Sequence, residues 1–305
     1  MTVNAHPASQ RGVDELDLPF QLRVMRLGFR LLRLVSRRAA GRLVLHLFVT
    51  PRRHAPPERE REALAGAEAF SLEHRGRRLA CWRWPARGGA RRGTAILVHG
   101  WEGRGGQLHH FAPGLAADGF DVVTFDHVGH GASDGRRCSL PAMRDALRAV
   151  AEATAGGAAQ DAASGPAAIV AHSMGSFASS LLLAEGWRGT RVCYVSPPDD
   201  LLVYFSRYLR LVTGSDDLLP DLIDRMERRF GERAEGFEFR RLVETLDQPL
   251  LVVHSTDDTD VPVEAGRFVA GHWPGARLME VEALGHRRIL RDGRVVEAAR
   301  AFLAE

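Results

Sequence analysis

The sequence of 305 residues predicts an α/β fold with a mostly parallel sheet and helices on both faces. Three observations predict it. From about residue 69, short apolar runs of buried-strand type alternate with helical patterns. Residues able to carry chemistry fall just past several of those runs: His99-Gly100, Ser173, three aspartates at 257–260, and His286. One stretch, 199–247, carries about three helical patterns and no strand, as expected of a small helical cap at the C-terminal edge of the sheet, where open α/β sheets take their ligands.

Residues 1–19 are polar, interrupted by proline, and expected to be mobile. Residues 20–49 predict an amphipathic helix. Arg23, Arg26, Arg30, Arg33 and Arg37 recur every three or four positions, and Val24, Met25, Leu31, Leu32, Val35 and Ala39 fall on the other face. No apolar stretch is long enough for a transmembrane helix, and no signal peptide is evident. "TPRRHAPPERERE" (50–62) reads as a linker. The expected domains are therefore 1–61, a basic helix and linker, and 62–305, the α/β body with its cap insertion at about 199–247.

In the body, "AFSLEHRGRRLACWRW" predicts two strands turning at Arg75-Gly76. "GTAILVHG" (93–100), "FDVVTFDH" (120–127), "PAAIVAHS", "TRVCYVSP", "PLLVVHST" and "RLMEVEAL" (277–284) predict further strands. Helices are expected at "QLHHFAPGLAADG", at "SLPAMRDALRAVAEATAGG" with Ser139 as N-cap, at "MGSFASSLLLAEG", and near 288–304.

Charge and cysteine usage narrow the function. Residues 1–61 hold 12 arginines against five acids, whereas the remainder holds 29 against 33. The basic character thus belongs to the N-terminal segment, and no nucleic-acid-binding surface is expected on the body. All 41 basic residues are arginine, which we ascribe to genome base composition. Cys81, Cys138 and Cys193 have neither disulfide nor zinc spacing, so reduced thiols and a cytoplasmic location are expected, with the inner membrane face as an alternative through residues 20–49. His127 and His130 are read as structural turn residues, His109-His110 as surface or partly buried, and Cys193 as core. "GWEGRGG" is no phosphate loop, since no G-K-[ST] follows.

The chain order Ser173, then an aspartate, then His286 carries a specific chemistry. A serine hydroxyl is a weak nucleophile near neutral pH and needs a base, and the base needs an acid to set its tautomer. Asp257, Asp258 and Asp260 are all placed to supply that acid, with Asp199 or Asp200 further away in sequence. Two backbone N–H groups are required for a developing oxyanion: Met174 follows the serine, and Trp101 follows His99-Gly100, whose loop is rich in glycine.

With "HG" at 99–100, "FDHVGHGASDG" at 125–135, "AHSMG" at 171–175, "HSTDDTDVP" at 254–262 and "LGH" at 284–286, the chain resembles the α/β-hydrolases of the monoacylglycerol lipase and lysophospholipase-like group over residues 69–305. The resemblance implies an α/β-hydrolase fold and hydrolysis of a carboxylic ester of an apolar acyl group through an acyl-enzyme. It assigns Ser173 as nucleophile, Asp258 as acid, His286 as base, Trp101 and Met174 as oxyanion donors, and His99 and Gly100 as loop support, with no cofactor and no metal. A thioester or small amide is the alternative substrate, and a non-catalytic membrane-associated binding protein the alternative from another class. Two departures stand out. The Glu-His and Arg-Tyr pairs that often follow His-Gly in that group are absent from "WEGRGGQLHH", so monoacylglycerol specificity does not carry over. The elbow reads A-x-S-x-G, and Ala171 predicts a slightly tighter packing of strand on helix there. The expected partner is a small or lipid-like ester, and residues 20–49 are expected either to pack their apolar face on the body or cap or to make a peripheral membrane contact.

Overall fold

The computed structural model describes residues 19–87, 89–155, 165–231 and 239–305. The expectations for residues 1–18, for the end of the helix beyond residue 155, and for cap residues 232–238 lie outside the described residues. Two compact units are distinguished. One combines residues 19–46 with Leu202–Gly231; the other combines Leu47–Leu201 with residues 239–305.

The larger unit is built on an eight-stranded sheet ordered β1-β2-β4-β3-β5-β6-β7-β8. The strands are β1 Glu68–His74, β2 Arg77–Trp84, β3 Gly93–Val98, β4 Phe120–Phe125, β5 Ala168–His172, β6 Arg191–Val195, β7 Leu250–Ser255 and β8 Arg277–Val281. β1 and β2 form a hairpin through Arg75-Gly76, both at positive φ, and β2 runs antiparallel to β4. All other pairs are parallel. Apart from Gly93 at the start of β3, strands β3, β5 and β7 are buried along their length, which is why their sequences are mainly apolar runs. Ala171 sits in mid-sheet, opposite Val98 and Tyr194, and is completely buried.

Twelve α-helices are described. In the smaller unit lie α1 Phe20–Val35, most of α2 Arg37–Phe48, α7 Leu201–Thr213 and α8 Leu219–Phe230; the larger unit holds α3 Glu58–Ala65, α4 Ala112–Ala117, α5 Leu140–Thr154, α6 Met174–Ala184, α9 Phe239–Val243, α10 Val263–His272, α11 Gly285–Arg288 and α12 Gly293–Ala304. Ser139 caps α5 by accepting the Ala142 N–H. The 20–49 pattern is interrupted at Ser36, whose extended backbone (φ −158°, ψ 104°) separates α1 from α2. Only the second half of "QLHHFAPGLAADG" is α-helical; Gly105–Phe111 forms a tighter 3-10 turn ahead of α4. The body's helices and strands enclose a core of Leu97, Phe111, Val122, Val170, Val253, Val295 and Phe302, among others.

Residues 50–62 do more than link. Val49 accepts the Cys138 N–H, and the Arg53 guanidinium donates to the carbonyls of Gly129, Ser133 and Gly135. α3 begins at Glu58, and its Glu60 makes a buried two-point ion pair with Arg104. Composition cannot reveal this, because proline- and charge-rich text looks the same whether its charges meet water or a distant partner.

In the smaller unit three arginines of the predicted stripe bond to protein. Arg26 donates to the carbonyls of Arg210 and Leu211 in the last turn of α7, where Arg210 O also accepts the Gly214 N–H. Arg33 pairs with Asp217, and Arg37 with Asp221 at 2.7 Å. The apolar face divides: Phe29 is buried and Met25, Leu32 and Ala39 are half-buried, whereas Val24, Leu31 and Val35 are exposed. No described helix is long and apolar enough to cross a membrane.

Candidate active site

Four loops at the C-terminal ends of β3, β5, β7 and β8 build the site. The turn from β5 into α6 holds Ser173 at φ 52°, ψ −125°, a region that a side-chain-bearing residue enters only at an energetic cost. The Ser173 N–H donates to Val195 O, and Ser173 O accepts the Ser176 N–H and hydroxyl, so the strained turn is tied at both ends. Its own hydroxyl makes no capping bond to α6. Met174 begins α6, so its N–H lies at the positive end of that helix.

Close approach explains the glycines around it. A Cβ on Gly100 would lie 2.9 Å from Ser173 Cβ and 3.0 Å from His172 O. A Cβ on Gly175 would lie 2.7 Å from the carbonyls of Val98 and His99. The His-Gly loop and the elbow thus pack backbone to backbone, and Trp101 follows directly. Trp101 stacks on Phe48 at 6.0 Å and meets His130 edge-on at 5.3 Å.

After β7, Asp258 is buried and hydrogen-bonded on both oxygens. Oδ1 accepts the N–H groups of Asp260 and Val261, each at 2.9 Å. Oδ2 lies 2.7 Å from His286 Nδ1 and 3.6 Å from His254 Nε2. Burial opposes its ionisation, but the imidazoles of His254 and His286 and the Val261 N–H hold the carboxyl well below the usual range. Asp257 turns elsewhere: it accepts from Ser255 Oγ and from the N–H groups of Leu284 and Gly285, bracing the loop that carries His286. Asp199 pairs with Arg240. Ser173, His286, Trp101 and Asp260 line one cavity of about 90 Å³.

Three supports are invisible from the motif alone. His172 accompanies the serine, packs against His286 with the rings tilted by 46° and 4.6 Å between centres, and bonds through Nε2 to His286 O at 2.9 Å. Burial, followed by the nearness of His286, keeps it neutral. His254 packs against Gly266, where a Cβ would lie 2.3 Å from Nδ1. Asp126 accepts the N–H groups of Gly105 and Ala132, joining the loop after Trp101 to the turn carrying His130. His99, His127 and His130 pack as a buried imidazole group with ring centres 4.5–6.2 Å apart. His99 Nε2 accepts the His127 N–H, and His130 Nε2 accepts the Glu102 N–H. Among the described residues no group of acids, histidines and cysteines has the arrangement of a metal site.

With this geometry in view, comparison with known proteins is informative. Residues 89–198, from just before β3 to just past β6, match the family described as serine aminopeptidase, S33. That span includes Ser173 and excludes Asp258 and His286. An 86-residue stretch is 38% identical to a monoacylglycerol lipase of Mycolicibacterium smegmatis, covering 28% of this chain and 30% of that protein. Among solved structures, Est1E from Butyrivibrio proteoclasticus, bound to ferulic acid, is similar with a TM-score of 0.60 at 19% identity, over 77% of this chain and 98% of that one. The Pyrococcus furiosus esterase Pf2001 has the same TM-score at 18% identity, over 84% and 98%. At these identities the structural likeness speaks for the fold.

Proposed function

We propose that this chain, which has the α/β-hydrolase fold, is a serine hydrolase of carboxylic esters. The observation that carries the reading is the 2.7 Å contact of Asp258 Oδ2 with His286 Nδ1, at the wall of the cavity that Ser173 also lines. An ionised Asp258 accepts a hydrogen bond from Nδ1–H and keeps the proton on Nδ1, which leaves the lone pair of His286 on Nε2. Nε2 takes the proton of Ser173 Oγ as the oxygen adds to the ester carbonyl. The N–H groups of Met174 and Trp101 receive the oxyanion. His286 returns the proton to the departing alcohol, and water then repeats the sequence on the acyl-enzyme. The decisive experiment is fluorophosphonate labelling of the wild type with Ser173→Ala as control: absence of wild-type labelling would overturn the reading.

Oxyanion placement depends on Gly100. Gly100→Ala pushes the His-Gly loop off the elbow and is expected to lower kcat on a p-nitrophenyl ester by about 10²–10³-fold, the cost of one misplaced donor. Unchanged kcat in a folded variant would remove Trp101 from that role.

The smaller unit favours peripheral attachment to an anionic bilayer. Nine of the ten large apolar side chains exposed among the described residues belong to it. Phe20, Val24, Leu27, Leu31 and Leu34 follow a four-three-four-three spacing along α1, so they form one exposed stripe. The described residues of this unit carry twelve arginines against five acids, the charge balance that suits anionic lipid. The apolar stripe inserts, and the net positive charge of the unit supplies the long-range attraction. The full chain is expected to sediment with vesicles of equal phosphatidylglycerol and phosphatidylcholine, and Leu27→Glu/Leu34→Glu to stay in the supernatant. Identical sedimentation of both proteins would refute the attachment.

A further inference from the structure

A second cavity, of about 250 Å³, shares Glu102, Gln107 and Arg287 with the one that Ser173 lines. Its chemistry is wrong for an acyl tail. Of its twelve lining residues only Leu290 is apolar, whereas pockets for apolar ligands are walled mainly by hydrocarbon. Five of the twelve are arginines and two are glutamates. Both glutamates are committed: Glu60 to Arg104, and Glu102 to Arg52 at 2.8–3.0 Å. Arg288 turns to the carbonyls of Ala283 and Leu284. Among the described residues Arg59, Arg287 and Arg291 have no ion-pair partner. His109 and His110 stack beside them at 3.9 Å, and His109 Nε2 is buried with no hydrogen-bond partner among the described residues.

Exposed guanidiniums without an ion-pair partner and an unsatisfied imidazole nitrogen line one cavity and give it a surplus of donors and positive charge. Guanidinium planes match carboxylate and phosphate oxygens two at a time, and a cleft lined by one sign of charge concentrates ligands of the other. Burial, with the neighbouring His110 and Arg59 acting in the same direction, pushes His109 down to about 4, in keeping with a surplus of positive charge there.

We infer that this cavity is a subsite for an anionic group of the substrate, a carboxylate or phosphate carried by the ester one cavity away from the bond that Ser173 attacks. The inference rests on the esterase reading and sharpens it, replacing a purely apolar ester with one that bears a charge. The anion has two sources, the acyl part or the alcohol part.

Three substrates separate them: p-nitrophenyl butyrate as the neutral reference, p-nitrophenyl hemisuccinate with the charge on the acyl side, and a butyryl ester of glycerol 3-phosphate with the charge on the alcohol side. At least one charged ester is expected to exceed the neutral one in kcat/KM by tenfold or more, and the charged-to-neutral ratio is expected to fall at least tenfold in Arg59→Ala/Arg291→Ala. Equal kcat/KM for all three, or a ratio that the double variant leaves unchanged, overturns the subsite while leaving the esterase reading intact. Absence of Ser173-dependent turnover on every ester overturns the esterase reading instead. The subsite is then judged by calorimetric titration of phenyl phosphate into Ser173→Ala: binding that the two arginine substitutions abolish supports it, and no binding refutes it.

Discussion

Replacing Ser173 with alanine is expected to lower kcat for ester hydrolysis by about 10⁶-fold, the loss typical when the nucleophile of such a triad is removed. Asp258→Asn should cost about 10⁴-fold, because an amide at the Oδ2 position offers His286 Nδ1 an N–H or a weaker acceptor and no longer selects the tautomer with its lone pair on Nε2. Asp257→Asn provides the contrast. Asp257 holds the loop that carries His286 through Leu284 and Gly285, and it makes no bond to the imidazole. Its effect should be far smaller and should appear as lowered stability. Steady-state rates on one p-nitrophenyl ester, with labelling and circular dichroism as folding controls, check all three. Equal losses from the two aspartate substitutions would contradict the assigned acid. Alanine keeps the Cβ and with it the strained φ of Ser173, so the inactive variant is expected to have about the stability of the wild type.

The second large effect is acid lability. His99, His127, His130 and His172 are buried, and burial holds each neutral, with His99 down to about 4 and His130 to about 3. In the unfolded chain each takes up a proton near its ordinary value. The folded state therefore binds fewer protons between pH 6.5 and 4, and stability falls as the pH falls through that window. For His99 alone the loss from pH 7 to pH 5 is about 2 kcal/mol, from the shift in its proton affinity. Asp126, whose carboxyl is raised by burial, works in the opposite direction, but it is one group against four. Against a typical total stability of about 5–15 kcal/mol, the combined loss should bring the urea midpoint at pH 5 far below that at pH 7. A midpoint independent of pH over this range would mean that these imidazoles are solvated or charged in the native state. His127 is the most exacting case, since both its ring nitrogens are buried with no partner among the described residues.

The legible part of this protein was the part that repeats at short range. Apolar runs at 93–98, 120–125, 168–172, 191–195 and 250–255 reveal strands because a strand buried on both faces has no polar alternation to interrupt it. Ser173, His286 and the His99-Gly100 loop were legible because chemistry in such a sheet sits where a strand ends. The exposed half of α1 was not legible. Phe29 and Leu31 look alike in sequence, yet one is buried and the other exposed, because α7 and α8 are almost two hundred residues away in the chain. Ser36 is equally unremarkable in sequence, although it ends α1.

By itself, then, the sequence determined the α/β class, the order of the elements, and a serine and a histidine just past strand ends, with three aspartates clustered just past the strand at 250–255. Motif resemblance singled out Asp258 among the three. Only the tertiary structure decided that Asp258 faces His286 while Asp257 braces its loop, that three arginines of the predicted stripe bond to protein, and that Arg59, Arg287 and Arg291 meet around one cavity. The reason is physical. Periodicity reports how one element divides its own faces, whereas the partner of a charge or a hydrogen bond is chosen by chain segments folded beside it from far away.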